Sequence, residues 1–254
     1  MPKLNAFQLK WIAIVGMVLN HMVLGWWDII PTWLAVPMYA AGGLTFPIMA
    51  YFVVEGYRHT RSLGKYMLRL ALFGLIALPF HFLVFGALML NILFTIVVSL
   101  FCLWLYDKLA HKRWLFWLLF AGICVLTAFP LSFDWAIIGP IVVMMTQIIK
   151  DEQRRRTWPA ITAGAVFLFS SLGMLKMSLV AELDAITQAD STMMWVSSTF
   201  MLGCLAAALL LRHYNGQRGP CMKWAFYIAY PVHLAAIALL ALAFGLTQLP
   251  DIFA

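Results

Sequence analysis

The 254-residue chain is 64% hydrophobic, 15% aromatic and only 11% charged, with a mean hydropathy of +0.92. A soluble domain carries about a quarter of its residues as charges, so a water-soluble globular protein is excluded. Seventeen Lys and Arg against ten Asp and Glu leave a formal charge of +7. No basic block stands beside low-complexity sequence, which points away from nucleic acid and towards the cytoplasmic loops of a polytopic membrane protein.

A membrane helix takes about 20 mainly apolar residues, and the charges cut the chain into pieces of that size. In chain order the predicted spans are 9–27, 34–55, 67–85, 89–106, 114–130, 135–149, 157–175, 192–211 and 222–246. The first follows Lys3 and Lys10 and lacks a small-residue cleavage site, so it reads as a retained span rather than a signal peptide. Residues 70–106 carry no charge, and Pro79 with Gly86 is expected to supply the turn; Pro130 with Asp134 does the same in 114–149. The acidic, amphipathic 176–191 segment is the only connection long enough for an external helix. The expected fold is an all-α integral membrane bundle of about nine transmembrane helices, forming a single domain over 1–254 in the lipid bilayer.

The connections sort by sign. Sixteen of the seventeen basic residues fall at the amino end, in the 56–66 loop with nearby Arg69, in the 107–113 loop, in the 150–156 run and in the 212–223 loop. Only Lys176 falls elsewhere. The alternate loops hold Asp28, Asp134, Glu182, Asp184 and Asp190, and the tail holds Asp251. By the positive-inside rule the amino end is cytoplasmic and the carboxyl end lies outside. The four cysteines, Cys102, Cys124, Cys204 and Cys221, have neither CxxC nor zinc-finger spacing, so no disulfide framework or structural zinc site is expected.

Ionisable groups inside apolar spans are functional candidates because lipid does not offset their burial. They are His21, Glu55, His81 and His233, accompanied by Asn20, Asn91 and Thr95. Any one histidine taken alone is as well explained by a hydrogen bond that holds helices together. Lys10 and His21 have more to recommend them: eleven residues of helix separate them by about 16 Å and return to nearly the same face, offset by roughly 20°. That arrangement suits a long ligand with an anionic head at Lys10 and a reactive end at His21, acting as base. His81 and His233 should reach a similar depth, and no carboxylate or cysteine stands at metal-ligand spacing beside the three histidines. Glu55, close to Arg58 and Arg61, reads first as a local ion pair.

Lys10-x10-His21, LTFPIMAYFVVEGYRHT from Leu44 to Thr60, KYMLRL from Lys65, NILFT from Asn91 to Thr95, DWAII from Asp134 and FYIAYPVHL from Phe226 to Leu234 occur in order over nearly the whole chain. Together they resemble the TraX family, named for a conjugal transfer protein that acetylates the amino terminus of pilin. The family is distantly similar to the transmembrane acyltransferases of polysaccharides and glycans, where a basic-x10-His pattern marks the catalytic histidine. The resemblance implies a multi-pass protein of the bacterial inner membrane that takes acetyl-CoA as donor substrate, with no permanently bound cofactor. The acceptor it implies is a pilin, a glycan or a small amine. It places the catalytic base at His21 and the donor at Lys10. Two positions depart from the family pattern: Asn20 stands where Asp is usual, and Gly43 where relatives often carry Arg.

Acetyl transfer needs a base, donors for the thioester oxygen as it becomes an oxyanion, and a grip on the coenzyme A phosphates. His21 supplies the base, with Asn20 and His233 as further catalytic candidates. Arg58, Arg61 and Arg69 adjoin the FP-containing motif and join Lys10 as phosphate ligands. Asn91, Thr95, Tyr227 and Tyr230, with His81 and Glu55, are the oxyanion or substrate candidates. Two other classes stay open: a proton-coupled transporter, although no inverted repeat is visible, and a non-catalytic membrane assembly factor. The charge partition makes a direct prediction. Cysteine labelling in the 150–156 loop and at Ala254 should report opposite sides of the membrane, and labelling from the same side would refute the topology.

Overall fold

The computed structural model describes residues 3–86, 89–129, 131–180 and 195–245. Its elements are helices: α1 (Ala6–Gly25), α2 (Thr32–Gly42), α3 (Thr45–His59), α4 (Leu63–Phe85), α5 (Ile92–Lys108), α6 (Arg113–Ala128), α7 (Ile138–Ile148), α8 (Glu152–Val180), α9 (Phe200–Arg212) and α10 (Lys223–Ala243). Among the described residues the extended pairing is limited to two isolated parallel bridges, Leu4 with Tyr214 and Leu90 with Phe133. The all-α expectation therefore holds, and each of the nine predicted segments contains helix.

The count of nine spans is a different matter. Among the described residues five helical stretches are long and apolar enough to cross a membrane: Ala6–Gly25, Thr32–His59, Leu63–Phe85, Trp195–Arg212 and Trp224–Ala243. With 16 and 11 residues, α6 and α7 reach about 24 and 16 Å at 1.5 Å per residue, short of a hydrocarbon core of about 30 Å. The acidic stretch 181–190 and the tail with Asp251 lie outside the described residues.

Two punctuation signals act differently from expectation. Pro79 sits inside α4 and does not turn the chain; Gly86 does, as a left-handed cap at φ 65° whose N–H bonds the Phe82 carbonyl. The reason is that a glycine has no Cβ to oppose positive φ, whereas an apolar helix accommodates proline. The predicted 34–55 span is two helices, parted at Gly43 and Leu44.

The chain forms two compact units, Met1–Met49 with Arg156–Cys221, and Ala50–Arg155 with Met222–Ala254. In the first, α1 packs on α2 and α2 on α9. The contact is made backbone to backbone. A Cβ on Gly16 would stand 2.3 Å from the Ala41 carbonyl oxygen, one on Gly43 2.1 Å from that of Phe200, and one on Gly203 1.9 Å from that of Ala40. Small residues at these points let helices approach where lipid supplies no hydrophobic drive. Thr45 adds a hydrogen bond to the Ala13 carbonyl at 3.0 Å. Val23, Ala35, Met38 and Val196 fill the space beyond.

In the second unit α4 packs on α10 and on α5, and α5 on α6 and α7. Asn91 organises the α4–α5 corner: its Oδ1 accepts from Leu93 N–H at 3.1 Å to cap α5, and its Nδ2 donates to the Gly74 carbonyl at 2.8 Å. The 131–137 connection is pinned to the start of α5 by Leu90 N–H to Ser132 O and Asp134 N–H to Leu90 O, at 3.0 and 2.7 Å.

The glycine contacts yield a differential test. Gly43→Ala and Gly203→Ala should each lower stability by about 1–3 kcal/mol, the usual result of overpacking, read as a fall in thermal midpoint in detergent. Gly122→Ala, on α6 with nothing within 4 Å of the new methyl, should be neutral or stabilising by up to about 1 kcal/mol. Equal behaviour of the three would contradict the packing.

Candidate functional site

The sequence candidates fall into both units, with Lys10, Asn20 and His21 in the first. The continuous α1 (Ala6–Gly25) carries all three, so the 16 Å spacing of Lys10 and His21 follows from a real helix. His21 is buried, 8% exposed. Asn20 is buried against α2, its Cβ 2.6 Å from where a Gly42 side chain would begin. Its Nδ2 has no hydrogen-bond partner among the described residues. Consecutive side chains on a helix diverge by about 100°, so Asn20 and His21 address different neighbours. Gly43 cannot hold the Arg of the family pattern in this fold, since α9 occupies the space of even a methyl group there.

Lys10 has a neighbour that the sequence did not disclose. Asn5 caps α1 in a reciprocal box with Gln8, and residues 213–219 fold back over that first turn. Leu4 N–H bonds His213 O at 3.1 Å, Asn215 N–H bonds Leu4 O at 2.8 Å, Ala6 N–H bonds Gln217 O at 2.9 Å and Phe7 N–H bonds Arg218 O at 3.2 Å. Gly219, at φ 71°, lies so near Asn5 and Phe7 that a Cβ would approach within 2.9 Å of both. Arg218 is thereby brought within electrostatic reach of Lys10.

The second unit holds the other candidates. His233 on α10 is buried and its Nδ1 lies 2.8 Å from the Ala229 carbonyl. A carbonyl only accepts, so Nδ1 carries a proton. The ring meets that of Tyr230 edge-on at 5.4 Å. His81 on α4 is 1% exposed; its ring packs on Phe85 at 4.4 Å, and Nδ1 has no partner among the described residues. Thr95 Oγ1 donates to the Asp134 carbonyl, and Ser99 back-bonds to Thr95 O at 2.7 Å. Asn91 and Thr95 thus serve the scaffold in this structure.

Asp134, the lone charge in 114–149, is the residue that this scaffold presents. Its loop carries two non-glycine residues at positive φ, Ser132 at 46° and Trp135 at 56°, a strain that persists only where surroundings impose it. The carboxyl lies within electrostatic reach of Tyr230, and burial pushes it up to about 6.

The basic candidates of this unit differ from one another. Arg58 is engaged by Gln147, through Nε to Oε1 at 3.0 Å and Nη2 to the backbone oxygen at 3.1 Å. Arg61 is exposed on the α3–α4 connection. Arg69 lies over the Tyr227 ring at 5.9 Å, with Tyr227 stacked on Phe73 at 5.6 Å. Its buried Nε has no hydrogen-bond partner among the described residues.

Glu55 forms an ion pair, but Arg155 is its main partner. Arg155, 5% exposed, reaches Glu55 Oε1 with Nη1 at 2.8 Å and Nη2 at 2.9 Å, and Glu152 Oε2 with Nε at 2.8 Å. The Tyr51 hydroxyl donates to Glu152 Oε1 at 2.7 Å. Arg58 stands farther off, 3.9 Å from Glu55. A helix-local pattern pointed to the nearer residue; the true partner is a hundred positions away.

The pattern of the family described as TraX protein matches residues 6–241. A relative from Dichelobacter nodosus, named probable fimbrial assembly protein FimC, serogroup H1, is 30% identical over 251 residues, spanning 92% of this chain and 94% of its own length. No solved structure matches. The family match runs from the first residue of α1 almost to the end of α10, embracing parts of both units, and the chain belongs to the TraX family.

Proposed function

We propose that the protein is a multi-pass enzyme of the bacterial inner membrane that moves an acetyl group from cytoplasmic acetyl-CoA to an amine or hydroxyl acceptor. The observation that carries this reading is the placing of Lys10 and His21 on one unbroken helix, with the histidine buried and the lysine in the helix's second turn. A donor whose phosphates lie at Lys10 has about 16 Å of helix along which its thioester arm extends to His21.

His21 takes the proton from the acceptor's amine or hydroxyl as that atom attacks the thioester carbon. The new C–N or C–O bond forms, the C–S bond breaks, and the coenzyme A thiolate leaves with the proton returned through the imidazole. Imidazole suits the task because its ordinary pKa lies near neutrality. The relative's name, fimbrial assembly protein, supports a pilin amino terminus as acceptor. In the second unit Arg69, whose Nε has no hydrogen-bond partner among the described residues, lies above the Tyr227 ring, and Tyr230, His233 and His81 are the remaining polar candidates there.

The same name favours a second reading, a membrane assembly factor without catalysis. Substitution separates the two. His21→Ala should reduce acetyl transfer by at least about a hundredfold, the contribution typical of a general base, with expression and thermal stability retained. His233→Ala and His81→Ala should cost less. Acetylation of an acceptor peptide from acetyl-CoA, followed by mass spectrometry, provides the measurement; unchanged turnover in folded His21→Ala would reject the base assignment, and absence of transfer by the wild type would favour assembly.

A further inference from the structure

We propose that the second unit holds an outward-opening recess whose floor presents Asp134 as counter-ion for a primary ammonium group on an apolar chain, such as the free amino terminus of a peptide. This rests on the reading above and narrows its acceptor from an amine or hydroxyl to an amine.

The recess follows from where helices begin and end. Asn91, which caps α5, donates to the Gly74 carbonyl at 2.8 Å, and Leu93 and Phe94 come within 3.4 Å of where a Gly74 Cβ would stand. The first turn of α5 is therefore level with Gly74. Beyond that level α4 continues for eleven residues to Phe85, about 16 Å further. Asp134 shares the lower level, because its N–H bonds the Leu90 carbonyl at 2.7 Å and its own carbonyl accepts from Thr95 Oγ1. Phe133 N–H bonds the Thr127 carbonyl at 2.8 Å, which brings the end of α6 to the same floor, and α7 starts from it at Ile138. Tyr230 of α10 lies within electrostatic reach of Asp134, and α10 continues thirteen residues beyond it to Ala243, about 20 Å. With the topology expected from the charges, α4 and α10 both run outward. They wall a hollow floored by the ends of α5, α6 and α7, which is also why α6 and α7 are short.

The floor differs from a plain turn. Ser132 at φ 46° and Trp135 at φ 56° flank Asp134, a costly conformation that surroundings must impose and that clusters at functional sites. Irregular backbone at membrane depth persists only where it is buried in protein or lines water. Ser132 is exposed, so here it lines water. Phe129, Leu131 and Ile137 are exposed beside it and supply an apolar rim.

Charge selects the ligand. The Asp134 carboxyl accepts from Trp135 N–H, and the ion pairs among the described residues do not include it. Residues 1–2, 87–88, 130, 181–194 and 246–254, which lie outside that set, hold no Lys, Arg or His. Lys223 begins α10 seven residues before Tyr230, about 10 Å of rise away. One carboxylate matches one positive charge, and no group of three metal-ligating side chains occurs among the described residues. A primary ammonium brings N–H donors to an acceptor-only carboxylate, and the apolar rim receives the chain that carries it.

The test uses full-length protein in phosphatidylcholine nanodiscs, whose lipid has no primary amine. Calorimetry measures binding of a short, neutral, apolar peptide with a free amino terminus and of its N-acetylated twin. The wild type should bind the free amine at least about ten-fold more tightly, as for a charged hydrogen bond. Asp134→Asn keeps an oxygen for Trp135 N–H and removes the charge; it should lose that preference with its thermal midpoint unchanged, and Asp134→Glu should keep part of it. Ser132→Cys in a Cys221→Ser background gives a readout independent of the aspartate variants. A membrane-impermeant thiol reagent should label it from outside, and the free-amine peptide, unlike its twin, should slow the labelling. Equal affinity of the wild type for both peptides, a preference that survives in Asp134→Asn, or labelling that is absent or slowed equally by both peptides would each overturn the site. Asp134-dependent binding without any transfer from acetyl-CoA would leave the site standing and count against the acetyltransferase reading. Transfer by Asp134→Asn at the wild-type KM would support that reading and overturn the site.

Discussion

The position of α1 governs what the first unit can do, and two contacts at opposite ends set that position. At its middle, Gly16 meets the Ala41 carbonyl and Asn20 fills the hollow at Gly42, with no space for an added methyl at either glycine. At its start, four backbone hydrogen bonds tie residues 4–7 to the 213–218 loop. A helix fixed in both places has its axial level and its rotation determined. Lys10 and His21 then occupy set positions along a rigid rod, in the manner that positioning two ends of one substrate requires.

Close backbone packing of this kind also accounts for a departure from the family pattern. The pocket that an arginine at position 43 would need is filled by α9, at Phe200, Gly203 and Cys204. No side chain larger than hydrogen fits at position 43 without moving α9. In the second unit the polar side chains divide between scaffold and presentation. Asn91 and Thr95 hold α4, α5 and the 131–137 connection together, and what they hold in place is a strained loop carrying Asp134 towards Tyr230. His233 is held by its own helix, with Nδ1 bonded to the Ala229 carbonyl.

The sequence made the helices legible because charge in an apolar chain marks where helices end: all nine expected segments are helical. It was less informative about what each helix does. The break within 34–55 falls at Gly43, whose close approach to Phe200, 157 positions away, no local pattern encodes. Pro79 looked like a turn and proved to be helix interior, since the turn needed the left-handed freedom of Gly86. At the site, Lys10 and His21 were legible from their spacing, and Asp134 was visible as a lone charge in an apolar run. Arg155 and Arg218 were not, because both act through partners distant in the chain, Glu55 in one case and the first turn of α1 in the other.

The central claim is that coenzyme A lies along α1 with its sulfur at the level of His21, and a thiol trap reads that directly. Cys221 is the exposed cysteine among the four, the others being buried, so a Cys221→Ser background removes the competing thiol. Into it go His21→Cys at the expected depth and, as a control, Val15→Cys, whose position on α1 is exposed. After incubation with coenzyme A disulfide, mass spectrometry should find the mixed disulfide at position 21, dependent on Lys10 and competed by acetyl-CoA. Equal labelling at positions 15 and 21, or labelling at 21 that Lys10→Ala leaves unchanged, would contradict the account.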